Sequence, residues 1–204
     1  MNLQYKYWYF QSALTPRLCN DIIDYSLNKK LSLARIGGFE KDNLSNQDIK
    51  QIQKKRKSNL VWLDENWIKK EVLPYVEIAN KQAGWNFQLD QPETFQFTTY
   101  HVGQYYDWHS DSWEKPYNNG KIRKLSVTCQ LTDGSEYEGG ELEFDFRNYD
   151  PNMRDEKKHI TKCKEILSKG SIVVFPSFIW HRVKPVISGT RYSLVIWNLG
   201  ESFK

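Results

Sequence analysis

From residue 94 onward the chain is a succession of short segments rich in β-branched and aromatic residues, with no helical pattern between them. They cover residues 94–100, 124–131, 141–146, 171–175, 182–186 and 191–199. Turn formers separate them: Asn118-Asn119-Gly120, Asp133-Gly134, Gly139-Gly140 and Ser188-Gly189. Many short strands without intervening helices close only as a sandwich or a barrel. Before that point helix signals dominate. Thr15-Pro16 reads as an N-cap with proline at the first helical position, followed by Leu18, Ile22, Ile23 and Leu27 at helical spacing. Asp64 is the expected cap of a second helix carrying Trp67, Ile68 and Val72. Gly84 is its expected stop, and Pro74 is expected to kink or split it. The fold class is therefore mainly β with α, the helices covering one face of the strands. With 204 residues the chain is expected to be one domain, 1–204, divided into a helical support region (1–93) and a β core (94–200).

Within the strand-rich half lies His109-Ser110-Asp111. Residues two apart on extended chain point to the same side, so both side chains can reach one cation. His181 follows far downstream, where a strand starts again. Two histidines and one carboxylate form a facial triad that leaves coordination positions open, the arrangement of non-haem iron(II) oxygenases. Arg191 lies ten residues after His181. Its planar fork grips a carboxylate through two charge-assisted hydrogen bonds. His101 and His159 are not expected to be ligands, the first for want of a partner motif and the second because Lys157 and Lys158 adjoin it.

The remaining signals bound the partners. Twenty-nine Lys and Arg against 25 Asp and Glu give a net charge of +4, with no broad basic stripe, which argues against nucleic acid. The run Lys54-Lys55-Arg56-Lys57 reads as a solvated face, its functional alternative being an attractor for an acidic or phosphate-bearing partner. Three cysteines, none in a C-x-x-C pair, favour a reduced compartment. No apolar run approaches a membrane span and the first ten residues show no signal pattern, so a cytoplasmic protein without a membrane partner is expected. Residues 148–164 read as a polar surface loop able to act as a lid.

The text from Tyr100 to Asp111, Tyr-x-x-Gly-x-x-Tyr-x-x-His-x-Asp, resembles a motif of the prolyl-4-hydroxylase-type branch of the 2-oxoglutarate and iron(II)-dependent oxygenases. Glu138-Gly139-Gly140-Glu141-Leu142, His181-Arg182-Val183-Lys184-Pro185-Val186 and the stretch 191–197 resemble the same branch, and the resemblance covers about residues 94 to 200. It implies a double-stranded β-helix, or jelly roll, with iron(II) held by His109, Asp111 and His181 at its mouth. It also implies 2-oxoglutarate anchored by Arg191, O2 as cosubstrate, and ascorbate as an accessory reductant. Five extended residues after His181 would travel about 16 Å into the barrel before the chain turns at Ser188-Gly189 and returns Arg191 from the far end. By the same resemblance Tyr100 contacts the cosubstrate, Trp197 lines its cavity and Arg123 meets substrate. On 124–131, polar Ser126, Thr128 and Gln130 alternate with apolar Leu125, Val127, Cys129 and Leu131. In a barrel holding a dianion the polar side turns inward, which brings Gln130 to the cosubstrate.

The implied reaction is hydroxylation of a C–H bond, with a prolyl residue in a peptide or protein as the expected substrate. Tyr106, Trp108 and Trp113 are expected to form an aromatic rim for an extended chain. A free amino acid or other small molecule is the alternative acceptor. A non-catalytic jelly-roll binding module predicts a broken triad or a missing anchor, and neither is seen. Nucleic-acid dealkylases of the superfamily carry a second arginine where this chain has Trp197, and halogenases lack the carboxylate that is present here as Asp111.

Overall fold

The computed structural model describes residues 3–30, 32–33, 45–112, 115–146 and 159–203. Helix α1 (Pro16–Leu27) begins as its sequence expects. The Thr15 hydroxyl accepts the Leu18 N–H at 3.2 Å, with Pro16 in the first turn. Helix α2 (Asn46–Lys55) opens on a capping box of Ser45 and Asp48, which satisfies two of its orphan donors. Helix α3 (Asn66–Gln82) departs from expectation. Its N-cap is Glu65, without a side-chain cap bond, and Asp64 is ion-paired with Lys69 instead. Pro74 sits inside α3 without splitting it, and Gly84, at φ +69°, leads the chain away beyond its end.

The helical reading of residues 1–93 is incomplete, because that region also supplies strands β1 (Trp8–Phe10), β2 (Ser32–Leu33), β3 (Arg56–Lys57) and β4 (Asn59–Leu63). The strand-rich half follows with β5 (Phe95–Tyr100), β6 (Tyr105–His109), β7 (Lys121–Gln130), β8 (Tyr137–Gly139) and β9 (Leu142–Asp145). Next come β10 (Ile160–Lys162), β11 (Ile172–Pro176), β12 (Trp180–Val183), β13 (Val186–Gly189) and β14 (Arg191–Glu201). One sheet has the order β1-β11-β7-β14-β5-β4-β2, a second β10-β9-β12-β6-β3, and β13 pairs with β8. The surface-loop reading of 148–164 fails at its end: β10 pairs with β9 there, and Cys163 is buried. The rest of that segment, 148–158, lies outside the described residues.

Side-chain alternation decides which face of the larger sheet meets what. Leu125, Val127 and Cys129 on β7, Ile172 and Val174 on β11, and Leu194 and Ile196 on β14 pack with Ile22, Ile68 and Val72 of the helices. Burying each such aliphatic side chain stabilises the fold by about 1.5–3 kcal/mol. The opposite face gives Val173, Phe175 and Tyr100 to a second cluster with Leu142, Phe144 and Val183 of the smaller sheet. Phe144 meets Phe175 edge-on at 4.9 Å across that gap. The polar side of β7 therefore faces the space between the sheets. No described helix is long and apolar enough to cross a membrane.

Candidate active site

The pairing of β12 with β6 brings the two distant histidines together, for His181 and His109 are Cα partners in that antiparallel register. Directly opposed residues present their side chains on one face, and their rings lie 4.1 Å apart. Asp111 follows β6, and its backbone N–H donates to the Ser177 carbonyl at 2.9 Å. His109 Nε2 is 3.7 Å from Asp111 Oδ1, and His181 Nε2 is 3.4 Å from Asp111 Oδ2. One ligand atom from each of the three residues lies within 4.8 Å of the others, the only such group among the described residues.

The surroundings hold this group in a ligating state. Each imidazole Nδ1 faces the carbonyl two residues before it, Asp107 at 2.8 Å and Ile179 at 2.9 Å. That contact fixes the ring and leaves Nε2 for the cluster. Burial, then the nearby His181, pushes the His109 pKa well below its usual value, so the ring is neutral. Burial would raise the Asp111 pKa, but His181, His109, Arg123 and Ser126 together outweigh it and bring the carboxyl down to about 2. Ser126 Oγ donates to Asp111 Oδ2 at 2.7 Å and lies 2.9 Å from Ser177 Oγ. The sequence reading turned Ser126 inward but gave it no role, and Ser177 carried no signal at all.

Arg191 begins β14 opposite Tyr100 of β5 and is 1% exposed. Its guanidinium stands 5.6 Å over the Tyr100 ring, and its Nη1 has no hydrogen-bond partner. Gly140 lets it lie there: a Cβ on that residue would meet Arg191 Cδ at 3.2 Å and Val186 Cγ2 at 2.9 Å, in a backbone already at φ +61°. One open cavity is lined by the three clustered residues and by Arg191. Tyr100, Tyr106 and Trp197 line it too, and the Trp197 indole N–H is likewise unpartnered. Tyr106 does not form an outer rim. It stacks on the His109 ring at 3.5 Å, and its pKa is raised to about 12, chiefly by burial. Trp108 is also no part of the cavity wall and lies against the Arg182 guanidinium at 4.5 Å.

Two expected residues do not line the cavity. Gln130 is buried, but it is not among the cavity residues. Its amide donates to the Thr132 carbonyl and to the Tyr137 hydroxyl, each at 2.9 Å. Arg123 lies outside the cavity lining in a two-pronged pair with Glu93, at 2.7 and 2.6 Å, and its guanidinium lies over the Trp197 ring at 3.8 Å. Trp113 lies outside the described residues. His101 is exposed beside Thr190, and His159 does not belong to the metal-binding group. The site also contains a residue read as solvated: Arg56 is 4% exposed and lines the cavity. Alternation in the basic run was the available signal, since it turns Arg56 inward when Lys57 faces out.

A family model described as the 2OG-Fe(II) oxygenase superfamily matches residues 95–198. A PKHD-type hydroxylase of Synechococcus sp. (strain CC9605) is 38% identical over 97 residues, which are 47% of this chain and 37% of that protein. Another from Idiomarina loihiensis is 32% identical over 98 residues, covering 48% and 38%. The chain thus spans well under half the length of these curated relatives. Among solved structures, the viral collagen prolyl hydroxylase of Paramecium bursaria Chlorella virus-1 superposes with a TM-score of 0.66 at 18% identity, covering 97% of each chain. A Pseudomonas putida prolyl-4-hydroxylase superposes with a TM-score of 0.66 at 17% identity, over 96% of this chain and 92% of its own. At that identity the likeness is one of fold.

Proposed function

The chain belongs to the 2OG-Fe(II) oxygenase superfamily, and on that premise we propose that it hydroxylates a C–H bond, most directly on a prolyl residue of a peptide or protein. The two sheets with their inner polar cavity are the two halves of a jelly roll. The observation that carries the reading is the unpartnered Arg191 Nη1, buried in the same cavity as His109, Asp111 and His181. An unsatisfied buried guanidinium donor costs about 1–3 kcal/mol or more, and the terminal carboxylate of a five-carbon diacid removes that cost. The donor set of two imidazoles and one carboxylate fits iron(II).

His109, Asp111 and His181 would hold the iron, and Arg191, with Tyr100 beside it, would hold the far carboxylate of 2-oxoglutarate. When bound, iron(II) and 2-oxoglutarate supply the oxidising chemistry, in which O2 is split between succinate, formed with loss of carbon dioxide, and the hydroxylated product. The Ser126 hydroxyl holds one oxygen of Asp111 and so orients the carboxylate. Tyr106 packs flat on His109 and keeps water from that side of the ring. Trp197 adds its unpartnered indole N–H to a wall that also carries Thr128 and Ser193. No described residue is assigned to ascorbate.

The peptide substrate is supported by the viral collagen prolyl hydroxylase and the bacterial prolyl-4-hydroxylase that share this fold. It is also supported by Trp62, 48% exposed beside Trp197 at a ring distance of 6.2 Å, an aromatic surface suited to an extended proline-containing chain. A free amino acid or other small acceptor is the second reading. The observation in its favour is Arg56, a buried cation on the cavity wall. Presenting proline-containing peptides and free proline side by side, with iron(II), 2-oxoglutarate and O2, tests the proposal. Gain of one oxygen atom by an acceptor, matched by succinate, is the expected result. Absence of succinate under every condition would refute the hydroxylase reading.

A further inference from the structure

The run Lys54-Lys55-Arg56-Lys57 is the one strong sequence signal that the oxygenase reading leaves without a role. It is not a uniform surface feature. Lys54 and Lys57 are exposed, Lys55 is half-buried and paired with Asp107 at 3.5 Å, and Arg56 is buried. The cause is β3, the edge strand of the smaller sheet, which pairs with β6 so that Arg56 lies opposite Tyr106 and Lys57 opposite Tyr105. The Arg56 guanidinium lies over the Tyr106 ring at 4.4 Å, and Tyr106 in turn stacks on His109. Its hydrogen bonds go to neutral groups, Ser58 Oγ at 2.9 Å and Gln96 Oε1 at 3.4 Å. Among the described residues no carboxylate is ion-paired with Lys54, Arg56 or Lys57. Arg56 and Gln96 both line the cavity that holds the metal-binding group and Arg191.

Charge balance makes this arrangement informative. In the loaded site the charges of iron(II), the Asp111 carboxylate, the 2-oxoglutarate dianion and Arg191 cancel. Arg56 remains as an uncompensated buried cation, and a buried charge is costly unless it is paired. A ring face and two neutral acceptors offset part of that cost; an anion offsets the rest. 2-Oxoglutarate already has Arg191 for its free carboxylate, so the anion must come with the other occupant of the cavity.

We propose that Arg56, with Lys54 and Lys57 exposed on either side of it, recognises a carboxylate on the molecule to be hydroxylated. This rests on the hydroxylase reading and narrows its substrate class to acceptors that carry an acidic group close to the reacting C–H bond. The same chemistry is offered by the α-carboxylate of a free amino acid and by an acidic side chain beside a proline in a peptide. Arg56 makes the short-range contact, and the two lysines raise the local concentration of anions through their longer-range field.

The test uses the full chain saturated with manganese(II) and 2-oxoglutarate, and two pairs of probes matched except for charge. One pair is L-proline and L-prolinamide; the other is a capped Gly-Pro-Glu-Gly peptide and its Gly-Pro-Gln-Gly twin. Dissociation constants are measured by calorimetry for the native protein and for Arg56→Gln and Arg56→Lys. In at least one pair the carboxylate member should bind native protein ten-fold or more tightly than its amide twin, and the pair that does so identifies the source of the carboxylate. Arg56→Gln should bring that ratio close to one, and Arg56→Lys should keep a preference for the acid. A residue that merely props Tyr106 against His109 would change both twins equally and leave the ratio intact. Equal or undetectable binding within both pairs of the native protein overturns the proposal without needing any variant, as does a ratio that survives Arg56→Gln. Failure of 2-oxoglutarate itself to bind the manganese-loaded native protein would instead remove the hydroxylase reading beneath it.

Discussion

At the scale of single residues, Asp111 shows how much of the site lies in groups that do not touch a metal. Its Oδ2 is held by Ser126, and Ser126 is joined to Ser177, whose carbonyl also fixes the Asp111 backbone. Ser126→Ala should therefore leave the fold intact but weaken metal affinity about 10–100-fold, the usual cost of losing a partner of a ligand. Equilibrium titration with manganese(II) reads this directly. Asp111→Ala should abolish high-affinity metal binding altogether. Arg191→Ala should raise the 2-oxoglutarate requirement by about 1.5–3 kcal/mol, the contribution of a charged hydrogen-bond pair, measured as the concentration giving half-maximal succinate release. The triad and Arg191 were legible because each carries an unusual residue type at a meaningful spacing. Ser126 and Ser177 were not, because a serine on a strand reads the same whether it orients a ligand or faces water. Arg123 was placed by resemblance, and Gln130 by the alternation of its strand once the polar side was turned inward. The structure pairs Arg123 with Glu93, from the stretch before β5, and Gln130 with Tyr137 across the turn that follows β7, contacts that strand alternation alone does not give.

At the scale of elements, most strands after residue 94 could be read because Gly, Asn, Asp and Pro punctuate them, but β8 was missed and the stretch read as one strand over 182–186 divides between β12 and β13. The short strands β3 and β4 were hidden. Arg56–Lys57 looks like part of a charged surface, and Asn59–Leu63 is too short for its alternation to stand out beside two helices. Their position is set by pairing with β6 and β5, which is tertiary information. The turn between β13 and β14 illustrates how an element aims a site residue. Gly189 holds φ +73°, and a Cβ there would come within 2.3 Å of the Glu136 carbonyl. Gly189→Ala should destabilise the protein by about 1–3 kcal/mol. Because Arg191 lies only two residues on, it should also weaken 2-oxoglutarate binding, whereas Gly84→Ala, at φ +69° with open space around it, should affect stability alone. Denaturant unfolding and calorimetry on the same samples separate the two effects.

At the scale of the whole molecule, the two faces of the larger sheet divide the labour. One is sealed by helices over an apolar cluster; the other holds the polar cavity and is closed by the smaller sheet through Phe144 and Phe175. Phe144→Ala should cost about 3–5 kcal/mol and loosen the pairing that sets His181 against His109. On the proposed reading the metal site and the Arg191 anchor are two ends of one binding site, a claim that neither end can establish alone. Anaerobic calorimetry of 2-oxoglutarate binding, with and without iron(II), tests it most directly in native protein and in His181→Ala. Tight binding only when iron is present, lost in His181→Ala although Arg191 is untouched, is the predicted result. Binding of 2-oxoglutarate that is indifferent to iron and to His181 would contradict it.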